Sequence, residues 1–204
     1  MWSRSVTETL RRIEADDVRQ KETGEGIPYW RISADCGRLL YIACRSANVQ
    51  RAVELGSSSG FSGIHLAAAL VSTGGRLWTC ELEPQKLALS RRNFEAAGVA
   101  GQITQVEGDI LETLPPLLAS MDGPVDFAFL DALKPDYVRY LGLLRPHLCA
   151  GSLIAADNVG PHNAEVLRSY LETVGAAPFV TSIVPTRNAE GRQDALALSL
   201  LTED

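Results

Sequence analysis

Short apolar runs alternate along this chain with longer stretches in which apolar residues recur at helical spacing. Residues 52–55, 76–81, 103–107, 125–130 and 152–156 read as buried strands. The segments between and after them, 62–71, 84–97, 110–120, 136–144 and 163–174, read as helices. Pro84 suits the first helical position and Gly98 a C-terminal cap. Pro115-Pro116 predicts an interruption in the 110–120 helix. Ahead of the first strand, Ser33 reads as the N-cap of a helix over 34–47, with Leu39, Leu40, Ile42 and Ala43 on its core side. Residues 1–25 are polar and charged, with weak helical periodicity from Val6 to Val18. They predict a short helix or a mobile arm up to Gly24-Glu25-Gly26. Two further strands, 179–185 and 195–201, flank a polar hairpin loop, so that pair is expected to be antiparallel. Strand–helix alternation of this kind implies an α/β fold: a doubly wound, mostly parallel seven-stranded sheet with an antiparallel C-terminal hairpin. With no repeat and no interdomain linker, the expected organisation is an N-terminal arm or helix over 1–30 and a single domain over 31–204.

The 204 residues suffice for one domain with a sizeable core. The net charge of −6 argues against broad electrostatic binding to nucleic acid or an anionic membrane. Arg91-Arg92 and the arginines at 187 and 192 leave room for a small tRNA contact. Cys36, Cys44, Cys80 and Cys149 are scattered, with no CxxC pair and no zinc-site spacing. Cys44, Cys80 and Cys149 are expected to be buried free thiols, which suits a reducing cytoplasm. No apolar run reaches the roughly 18 residues of a membrane span, and the chain from Met1 shows no signal-peptide core. A cytoplasmic location without membrane contact is the expectation.

Candidate chemistry lies where the predicted strands stop. Phe127-Ala-Phe-Leu-Asp131-Ala-Leu-Lys134 and Leu153-Ile-Ala-Ala-Asp157-Asn158 are apolar runs that end abruptly on oxygen-bearing side chains. At the carboxyl ends of neighbouring parallel strands those groups would converge. Asp131, Asp157 and Asn158 then suggest a divalent-metal site, with Lys134 beside it as a base. Oxygen-only ligands favour Mg²⁺, or Mn²⁺ or Ca²⁺, over zinc.

Between the first strand and its helix lies Gly56-Ser-Ser58-Ser-Gly60-Phe-Ser62-Gly63. Small residues there admit a ligand close to the backbone. One reading is a GxSxG nucleophile elbow with Ser58 as nucleophile. A second is a dinucleotide loop, although Ser58 stands where its second glycine belongs. The third is a nucleoside cofactor without phosphates. Glu81, ending the second strand, would then bind ribose hydroxyls, and Asp109 beyond the third would reach the base. Plain loop or helix-capping acids are the bland alternative for both.

In their order these motifs resemble class I S-adenosylmethionine-dependent methyltransferases, and more closely the cation-dependent O-methyltransferases that include the catechol and caffeoyl-CoA enzymes. The resemblance covers roughly residues 30–201. It rests on Glu54-Leu-Gly56-Ser-Ser-Ser-Gly60-Phe61-Ser62, Cys80-Glu81-Leu-Glu-Pro84, Phe129-Leu-Asp131-Ala-Leu-Lys134 and Ala156-Asp157-Asn158. It implies a Rossmann-like methyltransferase fold. Glu54, Gly56, Ser57 and Ser62 would line the methionine part of S-adenosylmethionine. Glu81 would bind the ribose, Asp109 would sit by the adenine, and Ile32 would touch the cofactor ahead of the first domain helix. Asp131 would serve cofactor, catalysis and metal together. Asp157 and Asn158 would complete the Mg²⁺ (or Mn²⁺ or Ca²⁺) site, and Lys134 would be the general base. The implied acceptor is a phenolic, catechol-like small molecule, and the implied assembly a homodimer. A tRNA hydroxyuridine acceptor, a serine hydrolase and a non-catalytic binding protein remain alternatives. The sequence departs from the catechol enzyme at Ala132-Leu133, where that enzyme has His-Trp, and near Asn188, where it has a substrate-contacting glutamate.

Overall fold

Seven strands form one sheet in the order β3-β2-β1-β4-β5-β7-β6 in a computed structural model that describes residues 2–203. Met1 and Asp204, the outer limits of the two predicted segments, lie outside the described residues. The strands are β1 (Arg51–Leu55), β2 (Arg76–Glu81), β3 (Ile103–Glu107), β4 (Val125–Leu130), β5 (Leu148–Ala156), β6 (Phe179–Arg187) and β7 (Gln193–Leu201). The first five are mutually parallel, and β7 runs antiparallel to both β5 and β6. This is the expected doubly wound architecture with its antiparallel hairpin.

Both faces of the central strands are buried, which is why β1 and β4 read as nearly continuous apolar runs. Val53, Leu55, Ala128 and Leu130 pack on one face beneath α5 (Ile110–Ala119), α6 (Tyr137–Leu144) and α7 (Arg168–Val174). Ala52, Phe127 and Phe129 pack on the other, beneath α1 (Arg4–Thr23), α2 (Ala34–Ser46), α3 (Phe61–Thr73) and α4 (Pro84–Ala97). Among the described residues no helix is long and apolar enough to cross a membrane.

The N-terminal residues form a full 20-residue helix, not a loose arm. Ser3 caps it, its hydroxyl accepting from the Val6 N–H at 3.2 Å, and Gly24 ends it in the left-handed region at φ 70°. Its apolar stripe is narrow: Val6, Leu10 and Ile13 enter the core, at roughly 1.5–3 kcal/mol per buried side chain. Farther along the same face, Asp17 is buried and pairs with Arg31, whose Nε lies 2.9 Å from Oδ2. Lys21 reaches both Asp17 and Glu190 at the β6–β7 turn. The helix is thereby tied to the segment ahead of α2 and to the C-terminal hairpin.

Other departures from the sequence reading have local causes. In α2 the buried stripe is Cys36, Gly37, Leu40 and Cys44, so Ile42 falls on the opposite side and is 57% exposed. Helix α5 continues through Pro115 and Pro116. Both prolines are exposed, so water can satisfy the carbonyls their missing N–H groups release, while Leu114 and Leu118 hold the helix on the sheet. Pro161 opens a separate turn, and α7 begins only at Arg168. Hairpin pairing extends to Arg187 opposite Gln193, which shortens the expected loop. All four cysteines are free, with Cys149 only half-buried.

Candidate active site

Strand register lines up the chemistry. Leu55 is paired with Cys80 on one side and Leu130 on the other, and Leu130 with Ala156. The next residues, Gly56, Glu81, Asp131 and Asp157, therefore stand in one row at the carboxyl edge. Between β1 and β4 the chain order reverses, which is where open α/β sheets place their ligand crevice. A cavity of about 550 Å³ opens there. Ile32, Gly56, Glu81, Asp109, Asp131, Lys134, Asp157 and Asn158 all line it.

Glu54, Ser57 and Ser62 lie behind that wall and are buried. Glu54 points beneath the first turn of α3. Thr79 Oγ1 donates to its Oε2 at 2.5 Å, and Oε1 has no partner of hydrogen-bond geometry among the described residues. Ser57 Oγ is similarly unpartnered. Buried polar atoms without partners are uncommon, and two of them behind the glycine loop fit a ligand that brings donors of its own. Burial pushes the Glu54 carboxyl up to about 7, with the Ser62 and Thr79 hydroxyls offsetting only part of that.

A pH dependence follows. Because the folded carboxyl binds its proton more tightly than the unfolded one, Glu54 contributes stability that is full below about 4.5 and lost as pH rises towards 7. Glu54→Gln should remove this loss, a difference of about 2.5 kcal/mol between pH 5 and 8 in the ligand-free protein. Urea denaturation at several pH values measures it. Identical slopes for wild type and variant would refute the assignment.

Glu81 is fixed by three main-chain donors. Leu82 and Glu83 N–H donate to Oε1 at 2.9 and 3.0 Å, and Ser58 N–H donates to Oε2 at 2.8 Å. These bonds hold the carboxylate at the cavity wall and leave lone pairs for hydroxyl donors. Asp109 caps α5, accepting from Leu111 N–H at 2.8 Å, while also lining the cavity. Its capping role and its place in the wall coexist. Ser58 Oγ donates to the Tyr29 carbonyl at 2.6 Å, and no histidine is among its hydrogen-bond partners. A nucleophilic serine needs such a base, so the hydrolase reading loses its support.

At the opposite end, Lys134 Nζ donates to Asp131 Oδ1 and to the Tyr137 hydroxyl, each at 2.9 Å. Tyr137 in turn donates to the Leu130 carbonyl at 2.9 Å, which orients its oxygen towards the lysine. Asp157 is 4% exposed; burial first, and the Asp131 charge second, raise its carboxyl well above the ordinary range. Among the described residues no three His, Cys, Asp or Glu side chains form a metal cage. The oxygen set here is two carboxylates and the Asn158 amide. Two neighbouring carboxylates and one amide are few ligands, and fit a hard cation that keeps part of its water, as Mg²⁺ does.

Sequence reasoning overlooked several wall residues. Trp30, 69% exposed, closes the Glu81 end, with Lys86 Nζ 3.9 Å from its ring centroid. Asp194 and His162 line the cavity near Asn158, and Glu190 lines it as well; Asn188, already singled out as the position of the catechol enzyme's glutamate, is also in the wall. Of these, only an aromatic two places before Ile32 and an acid opening an apolar run left any trace in the sequence.

Comparisons with known proteins bear on family and fold. A family model described as O-methyltransferase matches residues 5–169. The catechol O-methyltransferase of Niastella koreensis is 36% identical over 138 residues, 66% of this chain and 60% of that protein. The catechol O-methyltransferase of Mycobacterium tuberculosis is 35% identical over 133 residues, 65% of this chain and 59% of that protein. The chain thus spans about 60% of the length of these curated relatives. Among solved structures, the O-methyltransferase TomG of Streptomyces achromogenes, in complex with SAM, superposes with a TM-score of 0.82 at 27% identity, covering 98% of this chain and 90% of that one.

Proposed function

The chain belongs to the O-methyltransferase family, and from that premise we propose that it methylates one hydroxyl of a small vicinal dihydroxy, catechol-like acceptor, using S-adenosylmethionine and a hard divalent cation. The observation that carries this reading is one cavity with two chemically different ends. At one end are Glu81, Asp109 and Gly56, with the unpartnered Glu54 and Ser57 oxygens buried behind them; at the other are Asp131, Asp157, Asn158 and Lys134. The names of the two catechol O-methyltransferase relatives support the acceptor class.

When bound, the cofactor supplies an electrophilic methyl on sulfur, and the cation supplies a charge that lowers the pKa of a neighbouring hydroxyl. The protein's part is placement. Gly56 and Ile32 bring the wall close to the cofactor, Glu81 accepts from its ribose hydroxyls, and Glu54 sits buried behind the loop that would hold its methionine end. Asp131, Asp157 and Asn158 present oxygen to the cation, Mg²⁺ first and Mn²⁺ or Ca²⁺ as substitutes. Lys134 Nζ, held between Asp131 and Tyr137, is the group positioned to take the acceptor's proton. Ala132 and Leu133 leave an apolar, open wall for an aromatic ring. Most of the acceleration is assigned to holding nucleophile, methyl and sulfur in line.

The test is label transfer from S-adenosylmethionine by the full chain to catechols, hydroxycinnamates and tRNA, each with Mg²⁺ and with EDTA. Transfer to a catechol that EDTA abolishes is the expected result. Undiminished transfer in EDTA would remove the cation, and transfer to tRNA alone would replace the acceptor.

A further inference from the structure

Asp194 stands at the start of β7. Because β7 runs antiparallel to β5, this end lies beside the turn after Asp157, where the Val159 N–H donates to the Ala195 carbonyl at 2.9 Å. The Asp194 side chain is 1% exposed. Its Oδ1 accepts from the main-chain N–H groups of Gly160 at 3.1 Å and Ala195 at 2.8 Å, and its Oδ2 accepts from Asn158 Nδ2 at 2.9 Å. His162 Nε2 is 3.8 Å from Oδ2. The fit is close: a Cβ on Gly160 would lie 2.6 Å from Asp194 Oδ1.

An asparagine can offer either its oxygen or its nitrogen to a site, and the two orientations are nearly equal in shape. Only the oxygen binds a cation. Asn158 Nδ2 faces Asp194 Oδ2 and, at 3.2 Å, Asp157 Oδ2. Carboxylates only accept, so the nitrogen is held on that side and Oδ1 remains the atom available for ligation. Of the two acceptors, Asp157 belongs to the proposed ligand set, and a cation would draw on the same oxygens. Asp194 is the acceptor that stays fixed. Asn158 is also held in the left-handed region at φ 58°, so its side chain leaves the backbone from a constrained position.

We propose that Asp194 is a positioning residue of the cation site, acting through Asn158 by locking the amide with its oxygen free. This rests on the divalent-cation reading above.

Asp194→Asn tests it with little change of shape. The new side chain has one oxygen, and the N–H groups of Gly160 and Ala195 claim it. Its NH₂ group then stands where Oδ2 stood, donor against donor with Asn158 Nδ2, and turns the Asn158 amide over. Titration of Mn²⁺ into the full chain, followed by the electron paramagnetic resonance of free Mn²⁺, should show affinity weakened about 10- to 100-fold, with S-adenosylmethionine affinity unchanged. In the double variant Asp194→Asn/Asn158→Asp both atoms at position 158 are oxygen, so orientation ceases to matter and Mn²⁺ affinity should return. Because the added carboxylate strengthens cation binding by itself, Asn158→Asp alone is the reference: the double variant should match it, whereas a merely structural role predicts that Asp194→Asn weakens both backgrounds by the same factor. Asp194→Asn binding Mn²⁺ within about threefold of wild type, or a double variant weaker than Asn158→Asp by the factor that separates Asp194→Asn from wild type, would overturn the proposal. A wild-type chain that binds no Mn²⁺ would overturn the cation reading and this inference with it.

Discussion

Asp157→Ala is expected to lower Mg²⁺-stimulated turnover by about 10³-fold while leaving S-adenosylmethionine affinity nearly unchanged. The magnitude follows from a Lewis-acid contribution of several kcal/mol, each ~1.36 kcal/mol being a factor of ten. The selectivity follows from position: Asp157 ends β5 on the far side of Asp131 from Glu81 and the glycine loop. A second consequence separates this from simple damage. In the cation-free protein Asp157 is a buried acid whose ionised form is opposed by desolvation and by the charge on Asp131. Removing it relieves both, so the melting temperature of the cation-free variant at neutral pH should be no lower than that of wild type. Asn158 keeps its stronger acceptor, Asp194, at 2.9 Å. Calorimetry with and without Mg²⁺, alongside the label-transfer assay, reads all three quantities. Wild-type protein should gain stability on adding Mg²⁺ and the variant should not. A variant that retains Mg²⁺-stimulated turnover within about tenfold would exclude Asp157 from the site.

What the sequence made legible, and what it hid, divides by the range of the interactions involved. Strands β2, β3 and β4 were readable to the residue because each is bounded by local chemistry, such as Glu81 followed by Pro84 or Leu130 followed by Asp131. The row Glu81, Gly56, Asp131, Asp157 was readable for the same reason: each ends an apolar run. Helix α1 was only half visible, since its buried stripe is narrow and the rest of its surface is charged. The tie from Lys21 to Glu190 spans most of the chain and leaves no local pattern. Ile42 was misassigned because an apolar residue beside a buried stripe looks like part of it, and only packing against α3 decides which side is inward. Asp194 and Tyr137 are the instructive omissions. Tyr137 sits in an ordinary helical turn, and only its bonds to Lys134 and the Leu130 carbonyl reveal what it orients. Asp194 belongs to the C-terminal hairpin, and antiparallel pairing alone carries it to the edge where the parallel strands end.

That edge depends on one residue with no side chain, and Gly56→Ala should cost more than about 3 kcal/mol in folding stability. Two effects add. Gly56 has φ +102°, a conformation that strains any other residue by roughly 1–3 kcal/mol. A Cβ there would also lie 2.3 Å from the Asp131 carbonyl oxygen and 2.9 Å from its carbon. Both are main-chain atoms of the adjacent strand end, so no rotamer change relieves the contact. Either β1 and β4 separate, breaking the bond from Asp131 N–H to the Leu55 carbonyl at 2.9 Å, or the 56–60 loop moves away from Glu81. Gly74→Ala is the control. Gly74 has φ +77° but nothing within 4 Å of a Cβ, so it carries the conformational strain without the collision. Urea denaturation should therefore separate the two variants by about 2 kcal/mol or more. Near-equal losses would mean that the strand ends yield easily, and that the close approach of Gly56 to Asp131 is not what sets the width of the cavity floor. If the separation is found, ligand binding locates the displacement. Movement of Asp131 is expected to weaken cation binding, whereas movement of the loop is expected to weaken cofactor binding alone.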